Sequence, residues 1–242
     1  MRYLLVSSLL IFSFGCQDNA RVEQLERRID ALERRLSDKP RVTIKQSERT
    51  ASVSEAVRDI NFSLSGNERD DPFLGKADAP VTMMAFIDYT SRASQEFVRN
   101  VVQSLRNAEI KQGELRLTIR DFPSSQLGIA PATAAHCVGE QGKYWDFFDA
   151  WFEGSGEISS VLEKIEGLNP DKLAQCQDSS RYLLEIERDV KDGRLVGVKG
   201  VPASFVGRCL AGRCTGKFIR GAQPLGVFQS AIRDSIDSIP MR

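Results

Sequence analysis

The run Val81-Thr82-Met83-Met84-Ala85-Phe86-Ile87 constrains this chain more than any other. It is short and nearly continuously apolar, the pattern of a strand buried on both faces. After the turn-like Asp88-Tyr89-Thr90, residues Ala93, Phe97, Val101 and Leu105 recur at helical spacing. The segment therefore reads as a strand, a tight turn and a helix start. Such a helix N-terminus gathers unpaired N–H groups and positive dipole at the tip of a sheet. Ser91 also suits a plain helix N-cap.

The surrounding elements extend this unit. Ile60, Phe62 and Leu64 alternate as a first strand, and Leu115-Arg116-Leu117-Thr118-Ile119 alternates after a helix that ends near Gly113. Strand, helix and strand over this span predict a right-handed crossover and a partly parallel sheet. Gly128 to about Phe152 is helical, and its aromatic residues Tyr144, Trp145, Phe147, Phe148, Trp151 and Phe152 are expected in the core. Asn169-Pro170-Asp171 is a helix start, and a further helix runs from Ser180 to about Leu195. Ala203–Arg208 and Cys214–Ile219 form a hairpin, and Pro224 opens a final helix with Val227, Phe228, Ala231 and Ile232 on one face.

Three motifs in order carry a family resemblance. Asp70-Asp71-Pro72-Phe73-Leu74-Gly75-Lys76-Ala77-Asp78-Ala79-Pro80-Val81-Thr82 resembles the lead-in of DsbA-like thiol oxidoreductases. Ala134-Ala135-His136-Cys137-Val138-Gly139-Glu140-Gln141-Gly142-Lys143-Tyr144-Trp145 is similar to the helix pair inserted in that family's middle. Gly200-Val201-Pro202-Ala203-Ser204-Phe205-Val206 is similar to its segment with a cis proline. The resemblance implies an α/β thioredoxin-like fold with a helical insertion over about 125–197. It also implies a groove for an extended peptide, formed by Ser91, Arg92, Ala93, Ser94, Val201 and Pro202.

Where the family has Cys-x-x-Cys, this chain has Ser91-Arg92-Ala93-Ser94. The thiolate is the attacking species in disulfide exchange, and a hydroxyl cannot form a mixed disulfide. No catalytic residue for dithiol chemistry is therefore expected at this turn. Arg92 is either a cation at the groove mouth or a solvated surface residue.

The 242-residue chain has no formal net charge, which gives no bulk electrostatic reason to expect a nucleic-acid partner. Met1-Arg2 followed by Tyr3–Phe12 reads as a signal peptide over residues 1–15. Ser13-Phe14-Gly15-Cys16 resembles a bacterial lipobox, which implies lipidation of Cys16 and a cell-envelope location facing the periplasm. Gln17 leans towards the outer membrane by analogy. An ordinary signal peptide with a free thiol at Cys16 is the alternative.

Residues 16–37 read as anchor and stalk. Val22, Leu25, Ile29, Leu32 and Leu36 follow heptad a and d spacing, with Arg21 and Arg28 at g and Glu26 and Glu33 at e. This predicts a homo-oligomer through Val22–Leu36, against the alternative of a single amphipathic stalk. Residues 38–58 read as a polar linker, and 59–242 as the folded domain.

Setting Cys16 aside leaves four cysteines and three possible pairings. Cys209 and Cys214 flank a predicted hairpin turn, which would bring the two together. Cys137–Cys176 resembles an accessory disulfide of some bacterial relatives. The loop-entropy account assigns this longer bridge roughly 4 kcal/mol and the hairpin bridge roughly 2 kcal/mol. His136 is the only histidine and lacks partners at metal-ligand spacing, so it is expected to be structural.

Neither cofactor nor metal is expected. The first functional reading is a lipid-anchored binding module for an extracytoplasmic polypeptide, chaperone-like or scaffolding. The alternative is an enzyme, either a serine-type glutathione-dependent isomerase or transferase, or a residual oxidoreductase using Cys209 and Cys214.

Overall fold

The computed structural model describes residues 56–63, 71–154, 156–210 and 212–238. The expected signal peptide, Cys16 and the Val22–Leu36 heptads lie outside these residues, as does most of the linker.

Among the described residues the sheet has six strands: β1 (Val57–Ser63), β2 (Phe73–Leu74), β3 (Val81–Ile87), β4 (Leu115–Asp121), β5 (Ala203–Leu210) and β6 (Arg213–Arg220), ordered β1-β6-β5-β3-β4-β2. β3 runs parallel to β4 and antiparallel to β5, and every one of its residues is buried. The reason is visible on each face. Val81, Met83, Ala85 and Ile87 pack into the main core, while Phe86 meets Val196, Val198, Ala203 and Phe218 on the other side. With both faces covered, the alternation of a half-solvated strand has no place in β3.

Helix α1 (Arg92–Phe97) runs on through a π-helical turn (Val98–Val102), an α-helical turn (Gln103–Leu105) and a second π-helical turn (Arg106–Ile110). Phe97, Val101, Val102 and Leu105 carry its buried side. The helical insertion contains α2 (Ile129–Gly139), α3 (Tyr144–Glu153), α4 (Ile158–Leu162), α5 (Pro170–Asp178) and α6 (Arg181–Val196), and α7 (Leu225–Asp237) closes the domain. Asn169 caps α5, its side-chain oxygen accepting from the Lys172 N–H at 3.0 Å. The structure joins Cys137 to Cys176, tying α2 to α5 within the insertion, and Cys209 to Cys214 across the β5–β6 hairpin.

The structure departs from the sequence reading at two places. β1 begins at Val57, three residues before Ile60, because its two charged residues find partners. The Arg58 guanidinium lies 4.8 Å from the Phe218 ring centroid and donates to the Val196 carbonyl at 2.6 Å, and Asp59 pairs with Lys217 at 2.8 Å. The linker therefore gives way to the sheet within its last residues. The hairpin is also longer at its turn end, bringing Cys209 directly opposite Cys214. Its middle carries Gly207 opposite Gly216, where a Cβ on either would lie 2.3 Å from a backbone oxygen of the other strand. Glycine is required there by the close approach of the strands.

Candidate functional site

At the C-terminal end of β3 the chain turns through Asp88. The Asp88 side chain is buried, and its Oδ1 accepts from the Thr90 N–H at 2.8 Å and the Thr90 hydroxyl at 2.7 Å. Its Oδ2 accepts from the Ser124 N–H at 2.8 Å. One carboxylate thus fixes the turn into α1 and holds the loop after β4 beside it.

Ser91 is the N-cap of α1, and its Oγ accepts from the Ser94 N–H at 3.3 Å. Ser94 is fully buried, and its Oγ accepts from the Asp88 N–H at 3.2 Å. Both hydroxyls are engaged in holding the turn and the helix tip. Arg92 lies beside them with its side chain 90% exposed, its Nε donating to Glu96 Oε1 at 3.1 Å within the same helix. Ala93 is exposed.

The Val201–Pro202 bond is cis. Ala203 pairs with Phe86, so this bond lies beside the end of β3 from which the turn departs. The structure therefore gathers Ser91, Arg92, Ala93 and Ser94 on one helical turn, with Val201 and Pro202 at the same end of the sheet. The Cys209–Cys214 bond is elsewhere, about 20 Å along β5 from Ala203 at strand rise.

Tyr144, Phe147, Phe148, Trp151 and Phe152 lie in the core as expected, whereas Trp145 is only half-buried, its Nε1 donating to the Phe73 carbonyl at 3.0 Å. Tyr89 stacks on Phe152 with centroids 5.4 Å apart and meets Phe147, Phe148 and Trp151 edge-on. Its hydroxyl shares a 3.0 Å hydrogen bond with that of Tyr144, and Trp151 Nε1 donates to its carbonyl at 2.8 Å. Burial, reinforced by Asp121, pushes the Tyr89 hydroxyl pKa well up, so it stays protonated.

Beneath the turn lies an ionic cluster that sequence reasoning missed. Arg120 is 2% exposed and contacts Asp71 and Asp189 at 2.6 Å each and Asp192 at 3.8 Å. Asp121, which pairs with Ile87 in the β3–β4 register, holds His136 Nε2 at 2.7 Å. His136 Nδ1 lies 3.8 Å from Glu185, and the imidazole stacks on Tyr182 at 4.7 Å. The cluster fastens α2 and α6 to β4. Burial opposes charging of His136, but the Asp121 hydrogen bond and the charges of Asp121, Glu185 and Asp189 raise its pKa to about 9. Burial pushes the Asp189 carboxyl up to about 7, against the pull of Arg120 and with the push of Asp121. A trace of this was visible in α6. Ile186, Asp189, Gly193 and Val196 share one helical face, and a carboxylate on an apolar face calls for a buried partner.

The expected structural role of His136 therefore has a pH signature. A histidine raised from about 6.5 to about 9 on folding contributes stability that is complete below pH 6.5 and lost as pH rises to 9. Asp189 acts in the same direction over lower pH, since the folded state holds its proton up to about 7. Urea unfolding should show stability falling by up to about 3 kcal/mol from pH 6.5 to 9. His136→Gln should flatten that slope; an unchanged slope would show that the imidazolium is not its source.

A sheet whose central strand ends in a carboxylate-fixed turn and a capped helix tip, with a cis-proline segment alongside, defines a thioredoxin-fold protein. The family model described as Thioredoxin matches residues 67–212, more than half of the chain, and the chain belongs to that family in its DsbA-like form. Among curated proteins it is 21% identical over 161 residues to disulfide bond formation protein D of Bacillus subtilis, covering 60% of this chain and 72% of that one. It is 24% identical over 153 residues to the probable disulfide bond formation protein D of Bacillus anthracis, covering 57% and 70%. Among solved structures, oxidised BdbD of Bacillus subtilis superposes with a TM-score of 0.62 at 17% identity, covering 73% of this chain and 98% of that one. DsbA of Chlamydia trachomatis gives 0.60 at 18% identity, covering 73% and 96%.

Proposed function

We propose that this protein is a DsbA-like binding module that has exchanged dithiol chemistry for holding a polypeptide. The observation that carries the reading is the use made of Ser91 and Ser94. Both hydroxyls are committed to capping and turn formation, and neither can supply or store the electrons of disulfide exchange. The end of the sheet beside them still offers an exposed helix tip and a half-buried Val201, surfaces against which an extended peptide can lie with backbone hydrogen bonds.

A reduced, unfolded polypeptide labelled with a fluorophore should bind the full chain, read by anisotropy. Val201→Trp and Ala93→Glu, which obstruct the tip without touching the core, should each weaken binding about tenfold, equivalent to about 1.4 kcal/mol. Labelled glutathione should not compete. Competition by glutathione, or no polypeptide binding in the micromolar range, would remove this reading.

We further propose that the module is held in the bacterial cell envelope by lipid on Cys16, facing the periplasm with the outer membrane favoured, and joins other copies through Val22–Leu36. The apolar Tyr3–Phe12 run and the cysteine after Gly15 support the anchor, and the heptad spacing of Val22, Leu25, Ile29, Leu32 and Leu36 supports the self-association. Among the described residues no helix is long and apolar enough to cross a membrane. Cys16→Ser should move the chain from the detergent phase to the aqueous phase on partitioning; retention in detergent would refute lipid anchoring at that residue.

A further inference from the structure

Between α6 and the Pro123–Ile129 segment runs an open groove of about 570 Å³. Its floor and walls are Pro123, Ile129, Ile186 and Val190, with Leu195 at one end, 72% exposed. The groove adjoins the candidate site from two directions. Its Pro123 wall is next in sequence to Ser124, which the Asp88 carboxylate holds beside the Ser91 turn. The C-terminal end of α6 leads within a few residues to Val201 and Pro202. Gly193 allows this geometry, since a Cβ there would lie 2.8 Å from the Phe122 ring.

The charges along the rim are ordered. Glu187 stands towards the N-terminal half of α6, and Lys191 and Arg194 stand at the end nearest Val201. Lys191 and Arg194 are exposed, and neither side chain makes an ion pair or hydrogen bond among the described residues. Unpaired cations flanking an exposed leucine and a recessed aliphatic floor complement one chemistry, an apolar segment bearing carboxylates.

We propose that this groove extends the peptide site and takes an apolar stretch of the bound polypeptide, with acidic residues of that polypeptide against Lys191 and Arg194. The proposal rests on the peptide-binding reading above and names the class of sequence preferred. The apolar residues are recessed between α6 and the Pro123–Ile129 wall, a shape that accepts a chain segment rather than inserting into a bilayer.

The test uses the full chain and two labelled peptides of alternating leucine and serine, one ending in two glutamates and the other in two lysines. The acidic peptide should bind at least about tenfold more tightly at low salt, and that advantage should shrink as ionic strength rises. Lys191→Glu with Arg194→Glu should abolish or invert the preference, and Leu195→Asp should weaken both peptides. All these positions are exposed, so circular dichroism and thermal midpoint should be unchanged. If Val201→Trp weakens binding while Lys191→Glu with Arg194→Glu leaves the preference intact, the groove assignment falls and the peptide site stands. If neither peptide binds, both fall. Displacement of the probe by phosphatidylglycerol vesicles but not phosphatidylcholine vesicles would assign the patch to a membrane and overturn the proposal. A loss of mass on Leu195→Asp in light scattering would instead make it a contact between copies and overturn it equally.

Discussion

Ser91→Cys combined with Ser94→Cys should give a protein that forms an intramolecular disulfide and exchanges it with a peptide dithiol, where the parent chain does neither. The turn is already shaped for such a pair. The Ser94 N–H donates to the Ser91 oxygen, and the same donor would face a sulfur placed there. In the single variant Ser91→Cys, that N–H and the first turn of α1 stabilise the thiolate. Its pKa should fall well below the roughly 8.5 of a free thiol. Arg92 adds a cation, partly spent on Glu96, so Arg92→Glu in the cysteine variant should raise the pKa only modestly. Loss of the serine cap costs about 1 kcal/mol, so the variant should still fold. Ultraviolet titration of the thiolate and oxidation of a reduced peptide dithiol by the disulfide form supply the readouts. A pKa near that of a free thiol would mean that this helix tip does not share the electrostatics of the family's active turn.

Arg120→Met should be the most damaging single change in the described domain. It leaves Asp71, Asp189 and Asp192 facing one another beneath the sheet without their central cation. Removing one partner of a buried ionic cluster costs about 3–5 kcal/mol, because the remaining carboxylates lose the cation they share. Asp189→Leu added to Arg120→Met should restore part of the loss, since burial already disfavours the charged form of that carboxyl. Urea unfolding of the single and double variants gives the comparison. A loss below about 1 kcal/mol for Arg120→Met would show that the cluster adjusts by taking up protons, and that the arginine is not its keystone.

Much of this was legible in the chain itself. Val81–Ile87 announces a central strand because both of its faces must be apolar, and the spacing of Phe97, Val101 and Leu105 announces the helix that follows. Asn169 and Ser91 announce caps because the residue types are few and the geometry local. What stayed hidden depends on partners distant in sequence. Arg120 and Asp121 stand in an alternating strand, and nothing local says that α6 will cover the charged side. Phe73–Leu74 is too short to carry a period, yet it pairs with β4 and fixes the sheet edge. The early start of β1 rests on Arg58 and Asp59 finding Phe218 and Lys217, residues at the far end of the chain. The turn at the end of β3 was read from local motifs, and the structure places Ser91 and Ser94 together on its helix tip.

The position of β1 has a mechanical consequence. Among the described strands this one stands at the edge of the sheet, paired with β6, with Val57 opposite Ile219. It cannot be seated until the C-terminal hairpin exists, so its docking carries the loop-closure cost of almost the whole domain. The same strand is the first in chain order among the described residues. Tension applied at Val57 acts on β1 before any other strand of the described residues. It is resisted first by the β1–β6 ladder and by the anchorage of Arg58 on Phe218 and the Val196 carbonyl. A pull strong enough to peel that strand would leave the β3 turn, the helix tip and the Val201–Pro202 segment in place. In effect, β1 is a sacrificial outer stave of this sheet.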